Sequence, residues 1–115
     1  MTYQREVWDI VINYDGKMHR DLKYRLGCTQ VDFSKILDID LSTVYRWDTK
    51  EQSPGFRSMK KLLLLKDLLD LINFTYEKID WIYCSYIGKE LVFNILKKGN
   101  IKKVVNYIKK IKKEI

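Results

Sequence analysis

Between positions 27 and 55 the apolar residues fall into two short helical stripes separated by a turn. Phe33, Ile36 and Leu37, with Val31 in part, form the inward face of the first. Thr29 opens that helix as N-cap, with Asp32 three residues on as the acidic half of a capping-box-like pair. The chain then turns through Asp38-Ile39-Asp40, and Ile39 is drawn inward. Asp40 caps the second helix, where Leu41, Val44 and Trp47 recur at i, i+3, i+6 and Ser42, Thr43, Tyr45 and Arg46 are left facing outward.

Upstream, residues 4–14 fit a helix through Val7, Ile10, Val11 and Tyr14, and a strand through Trp8, Ile10, Ile12 and Tyr14. The helix is preferred, because an isolated strand would need a pairing partner from a second copy. Asp15-Gly16 marks a turn, and residues 17–26 read as a helix with Met18, Leu22 and Leu26 inward and His19 and Arg20 on its surface. After Pro54-Gly55 one long helix is expected, starting near Gly55 or Ser58. Its leucines at 62–65, 68, 69 and 71, followed by Ile72, wrap beyond a single stripe, so burial on more than one side is predicted.

Residues 75–87 place Tyr76, Ile79, Ile82, Tyr83 and Tyr86 on one helical face. The local charge is acidic (Glu77 and Asp80 against Lys78), which favours core or interface over base stacking. Gly88-Lys89-Glu90 then opens a short helix through Leu96, which Gly99-Asn100 ends. In the last segment, 101–115, Ile101, Val104, Val105, Ile108, Ile111 and Ile115 make an apolar seam. Lys102, Lys103, Lys109, Lys110, Lys112 and Lys113 fill the opposite face. A packed helix with a solvated outer face is the leading reading. A phosphate-contacting arm and a membrane-surface helix are the alternatives.

Two amphipathic helices joined by so short a turn must cross steeply. That is the geometry of a helix-turn-helix, whose second helix can enter a DNA major groove. Residues 17–72 resemble the Xre family of helix-turn-helix regulators, the phage Cro/repressor type. The likeness rests on Gly27, Thr29-Gln30, Phe33, Lys35, Leu37, Ile39, Ser42-Thr43-Val44, Arg46-Trp47-Asp48 and Pro54, in order and without a gap. The chain departs from the family pattern at Asp38, where Gly is usual in the turn, and at Lys50, where Gly is usual after the second helix. The segment from Trp81 onward also resembles, more loosely, the C-terminal part of Xre-type antitoxins. Trp81, Gly88, Ile95-Leu96, Gly99 and Val104 match, and the Pro that usually follows the first Gly is absent.

The resemblance implies an all-α fold: a lambda-repressor-like helix-turn-helix bundle in residues 1–72 (core 17–72) and a helical extension in 73–115 for dimerisation or partner binding. It implies a sequence-specific double-stranded DNA-binding regulator, a homodimeric repressor of its own operon or of a phage or mobile-element operon. In that scheme Gln30 reaches a backbone phosphate, Leu41, Ser42 and Arg46 face base edges, Thr43 and Tyr45 flank them toward phosphate, and Lys50 adds a cation. The alternative is an antitoxin-like module whose C-terminal half neutralises a partner protein. The excess apolar surface of 62–72 and 101–115 is the expected dimer interface.

Composition changes the picture only in part. With 115 residues, 46% of them hydrophobic, the chain can bury a core. The net charge of +7 sits entirely in residues 97–115, which hold eight lysines and one glutamate. Residues 17–60 carry nine basic and six acidic groups. A duplex-binding surface there would need helix N-termini and a few placed cations, with the lysine-rich end as a second source of charge. No apolar run approaches a membrane span, and the opening MTYQREVWD has no signal-peptide pattern, so a cytoplasmic setting is expected. There Cys28 and Cys84 would stay reduced, and with His19 they lack zinc-ligand spacing. With one His, no Gly-rich phosphate loop and no nucleophile–base arrangement, neither cofactor, metal nor enzymatic activity is expected.

Overall fold

Residues at positive φ cut a mostly helical chain into its segments. The structure, a computed structural model, describes the backbone of residues 2–76 and 80–114 and the side chains of 5–73 and 80–111. In order these form α1 (Thr2–Ile12), α2 (Met18–Leu26), α3 (Gln30–Leu37), α4 (Leu41–Asp48), α5 (Phe56–Tyr76), α6 (Trp81–Cys84), β1 (Tyr86–Ile87), β2 (Glu90–Leu91), α7 (Val92–Lys97) and α8 (Ile101–Glu114). The helix expected for residues 4–14 is present as α1.

Gly27, at φ 68°, ends α2 by donating its N–H to the carbonyls of Lys23 and Tyr24, a conformation that needs no Cβ. Two turns downstream use the same left-handed region without glycine: Asp38 at φ 54° ends α3, and Lys50 at φ 65° follows α4. These are the two positions where the sequence departs from the family's Gly, and the backbone keeps the glycine-like conformation at both. The Thr29 hydroxyl accepts from the Asp32 N–H at 3.1 Å, so the expected N-cap of α3 is formed. Asp40 occupies the N-cap of α4 with no side-chain capping bond.

A single apolar cluster runs from Val7 on α1 to Ile108 on α8. Leu22 and Leu26 of α2, Phe33, Ile36 and Leu37 of α3, and Val44 and Trp47 of α4 enter it from one side. Met59, Leu62, Leu65, Leu68, Leu69 and Ile72 carry it along α5, and Ile95, Leu96, Ile101, Val104, Val105 and Ile108 close it. Helix α5 packs most extensively on α8 and also meets α1, α2 and α3. The wide apolar surface of α5 is accounted for in this way. Of the surfaces expected to form a dimer interface, 62–72 and, among the described side chains, 101–111 pack largely on one another within the chain. The four lysines of α8 with described side chains, Lys102, Lys103, Lys109 and Lys110, are exposed, while Lys112, Lys113 and Ile115 of the expected pattern lie outside the described side chains. Among the described residues no helix is long and apolar enough to cross a membrane.

The region after α5 differs from the expectation. Instead of one helical face over 75–87, α6 spans a single turn and Tyr86 leaves it to pair with Leu91 in a two-residue antiparallel hairpin. Tyr86 is exposed, Ile82 is buried, and Tyr76 and Ile79 lie outside the described side chains. Gly88, at φ 64°, turns the hairpin rather than opening a helix, and α7 begins at Val92. The Tyr83 hydroxyl donates to the Leu26 carbonyl and its ring meets Phe93, which ties this region to the end of α2. Val31, expected to be partly inward, is 46% exposed.

Candidate functional site

Helix α4 is eight residues long, and its sequence divides it cleanly by depth. Val44 and Trp47, three apart, are buried, and Leu41 and Thr43 are half-buried at the margin. Ser42, Tyr45 and Arg46 are exposed on the outer side, and Lys50 is exposed in the turn that follows. Of the residues singled out from sequence, six thus share α4 and the turn after it. Among the described residues no acid pairs with the guanidinium of Arg46. That cation is free to meet an anion or a base edge.

The far end of α4 is anchored by a polar network that sequence reasoning missed. Asp48, its last residue, accepts from His19 Nε2 at 2.9 Å and from Gln30 Nε2 at 2.8 Å. Arg20 stands 3.6 Å from the same carboxylate through Nε and donates to the Asp48 backbone carbonyl through Nη2. His19 was expected on the surface; it is 1% exposed. Its imidazole lies edge-on to Trp47, with centroids 5.6 Å apart. The Tyr14 hydroxyl accepts from the His19 backbone N–H at 2.9 Å and lies 2.6 Å from Nδ1.

With Tyr14 donating its hydroxyl hydrogen to Nδ1 and Nε2–H facing Asp48, the contacts suit a neutral imidazole. Burial pushes its pKa below the ordinary value, and the neighbouring Asp48 only partly offsets this. Burial likewise raises the Tyr14 hydroxyl. One signal in the sequence pointed to the buried position: His19, Leu22 and Leu26 fall on one stripe of α2. The partner that makes burial tolerable, Asp48, is 29 residues away and carries no local mark.

Gln30 is half-buried and commits one of its two amide hydrogens to Asp48. The second hydrogen and the carbonyl oxygen remain for an outside partner. Gln30 therefore links the first turn of α3 to the last residue of α4. Elsewhere, Cys28 and Cys84 are both free thiols. Burial pushes Cys28 up to about 11, so it stays protonated at neutral pH.

Compared with protein-family models, with curated proteins and with solved structures, the chain matches none of them.

Proposed function

We propose that this protein is a sequence-specific double-stranded DNA-binding regulator in which α3, its turn and α4 act as a helix-turn-helix of the Xre type. The observation that carries the reading is the outer side of α4. Ser42, Tyr45 and Arg46 stand exposed and close together on a helix whose inner side is locked by Val44, Trp47 and Asp48. A helix held this firmly loses little further freedom when it meets a groove. Arg46 can fork onto the O6 and N7 of a guanine, Ser42 can donate or accept, and Leu41 can meet a thymine methyl. Thr43, Tyr45, Lys50 and the free hydrogen of Gln30 are then placed for phosphates at the groove edges.

One such unit reads one half-site, so a homodimer on a two-fold site is part of the proposal. The antitoxin-like alternative has less behind it. Ile95, Leu96 and Val104, three of the residues that carry that likeness, are buried in the chain's own core.

The test is a binding titration against duplex DNA from upstream of the gene, with a scrambled duplex as competitor. Arg46→Ala should cost about 1–3 kcal/mol on the preferred duplex and relax selectivity at one base pair per half-site. A wild-type protein with no preference for any duplex over scrambled competitor overturns the reading.

A further inference from the structure

Helices α5 and α8 run side by side in the same direction: Lys102 stands beside Arg57, Lys60, Lys61 and Leu64, and Lys109 beside Asp67, Asp70 and Leu71. The two ends of this helix pair differ sharply in charge. Toward the C-terminal end Lys109 meets two aspartates, and Asp70 is already bridged by Arg25 and Lys66. At the N-terminal end an open groove of about 580 Å³ is lined by Leu64 and four cations, Arg57, Lys60, Lys61 and Lys102. Among the described residues none of the four has an acidic partner. Four like charges converge there without compensation, and the positive ends of two parallel helix dipoles lie at the same end.

We propose that this groove holds the phosphate backbone of a nucleic-acid duplex, outside the contacts made by α4. Position supports that partner. The loop after α4 leads directly into α5, so Arg57 follows Lys50 by seven residues. The start of α8 lies against the turn before α4, where a Cβ built on Gly99 would sit 3.7 Å from the Asp38 side chain. The groove is thus built from the helix that follows α4 in the chain and from the helix whose start touches the turn before α4. Phe56, tilted against Trp8 with centroids 4.9 Å apart and lying 5.6 Å from the Lys60 ammonium, ties the first turn of α5 to α1. Asp38, beside Gly99, and Glu51, in the loop before α5, do not line the groove. The inference deepens the DNA-binding reading, from which it takes the identity of the partner.

Salt-dependent titrations of the full chain separate the two ideas. Lys60→Gln/Lys61→Gln/Lys102→Gln is compared with wild type, with Arg46→Ala, and with Lys17→Gln/Lys66→Gln/Lys89→Gln as a variant of equal net charge. Each is titrated on upstream and scrambled duplexes, with thermal melts to confirm folding. Every phosphate that is no longer neutralised should flatten the log–log salt slope by about 0.9. The groove variant should therefore lose about 2 to 3 units on both duplexes, and the charge-matched variant less than about 1. Arg46→Ala should lose selectivity and keep its slope. If Arg46→Ala changes nothing while the groove variant loses its slope, the α4 reading fails and the groove stands. A groove variant whose slope equals that of the charge-matched control overturns the proposal. So does one that releases phosphatidylserine vesicles but binds duplex as wild type does, and so does a wild-type chain that binds no duplex.

Discussion

His19 is a titratable group in a position where most titratable groups would be costly. It is tolerated because Tyr14 fills its Nδ1 and Asp48 its Nε2, and because burial favours its neutral form. This gives stability a pH dependence whose sign follows from the contacts. Burial, the larger influence, holds the folded-state pKa below the ordinary 6.5 against the opposing pull of Asp48, while Arg20 and Lys23 push it further down. The unfolded chain therefore takes up the proton first as pH falls. The stabilisation is complete above the unfolded value and is lost as pH falls from there through the folded value. Urea melts taken at steps between about pH 7 and pH 5 should show wild type losing stability more steeply than His19→Gln. Parallel curves would show that folding leaves the His19 pKa unshifted, and a wild type that gains stability on acidification would show that folding favours the charged imidazole.

At the scale of elements, the turns that bracket α4 were legible because backbone conformation is a local property. Asp38 stands at a position singled out from sequence as one where Gly is usual, and it takes up the left-handed region at φ 54°. The Thr29 cap and the inward stripe of α3 were readable for the same reason. The hairpin at 86–91 was not, since two-residue strands give no period to detect and Gly88 serves a helix start and a tight turn equally well. Lys50 turns this lesson into a prediction. A side chain at φ 65° costs roughly 1 kcal/mol relative to glycine, offset in part because glycine adds freedom to the unfolded chain. Lys50→Gly should then stabilise the fold by a few tenths to about 1 kcal/mol in urea melts. If Lys50 also meets a phosphate, the same variant should bind duplex more weakly at low salt, so that stability and affinity move in opposite directions. A variant that is less stable than wild type would mean the Lys50 side chain makes contacts worth more than the strain.

For the whole molecule, the decisive feature is that the apolar cluster crosses residue 72 without a break. By sequence alone residues 73–115 look like an extension, and the lysine-rich last helix invites removal to test its role in binding. The packing argues for a different outcome. Ile101, Val104, Val105 and Ile108 of α8 are all at most 3% exposed, lying in the cluster that α5 carries through the molecule. Each such side chain contributes about 1.5–3 kcal/mol on burial, so losing four forfeits roughly 6–12 kcal/mol. A domain of this size has about 5–15 kcal/mol in all. A chain ending at Gly99 would also expose the face of α5 that α8 now covers, a long leucine surface with no other partner. Such a fragment should show no cooperative thermal transition by circular dichroism, and should aggregate at concentrations where the intact chain is clear. A sharp melt from the fragment would instead mean that residues 1–99 form a core of their own. The charge of α8 is therefore separable from its packing only by substitution at its exposed lysines, because the helix that presents them also completes the core supporting α4.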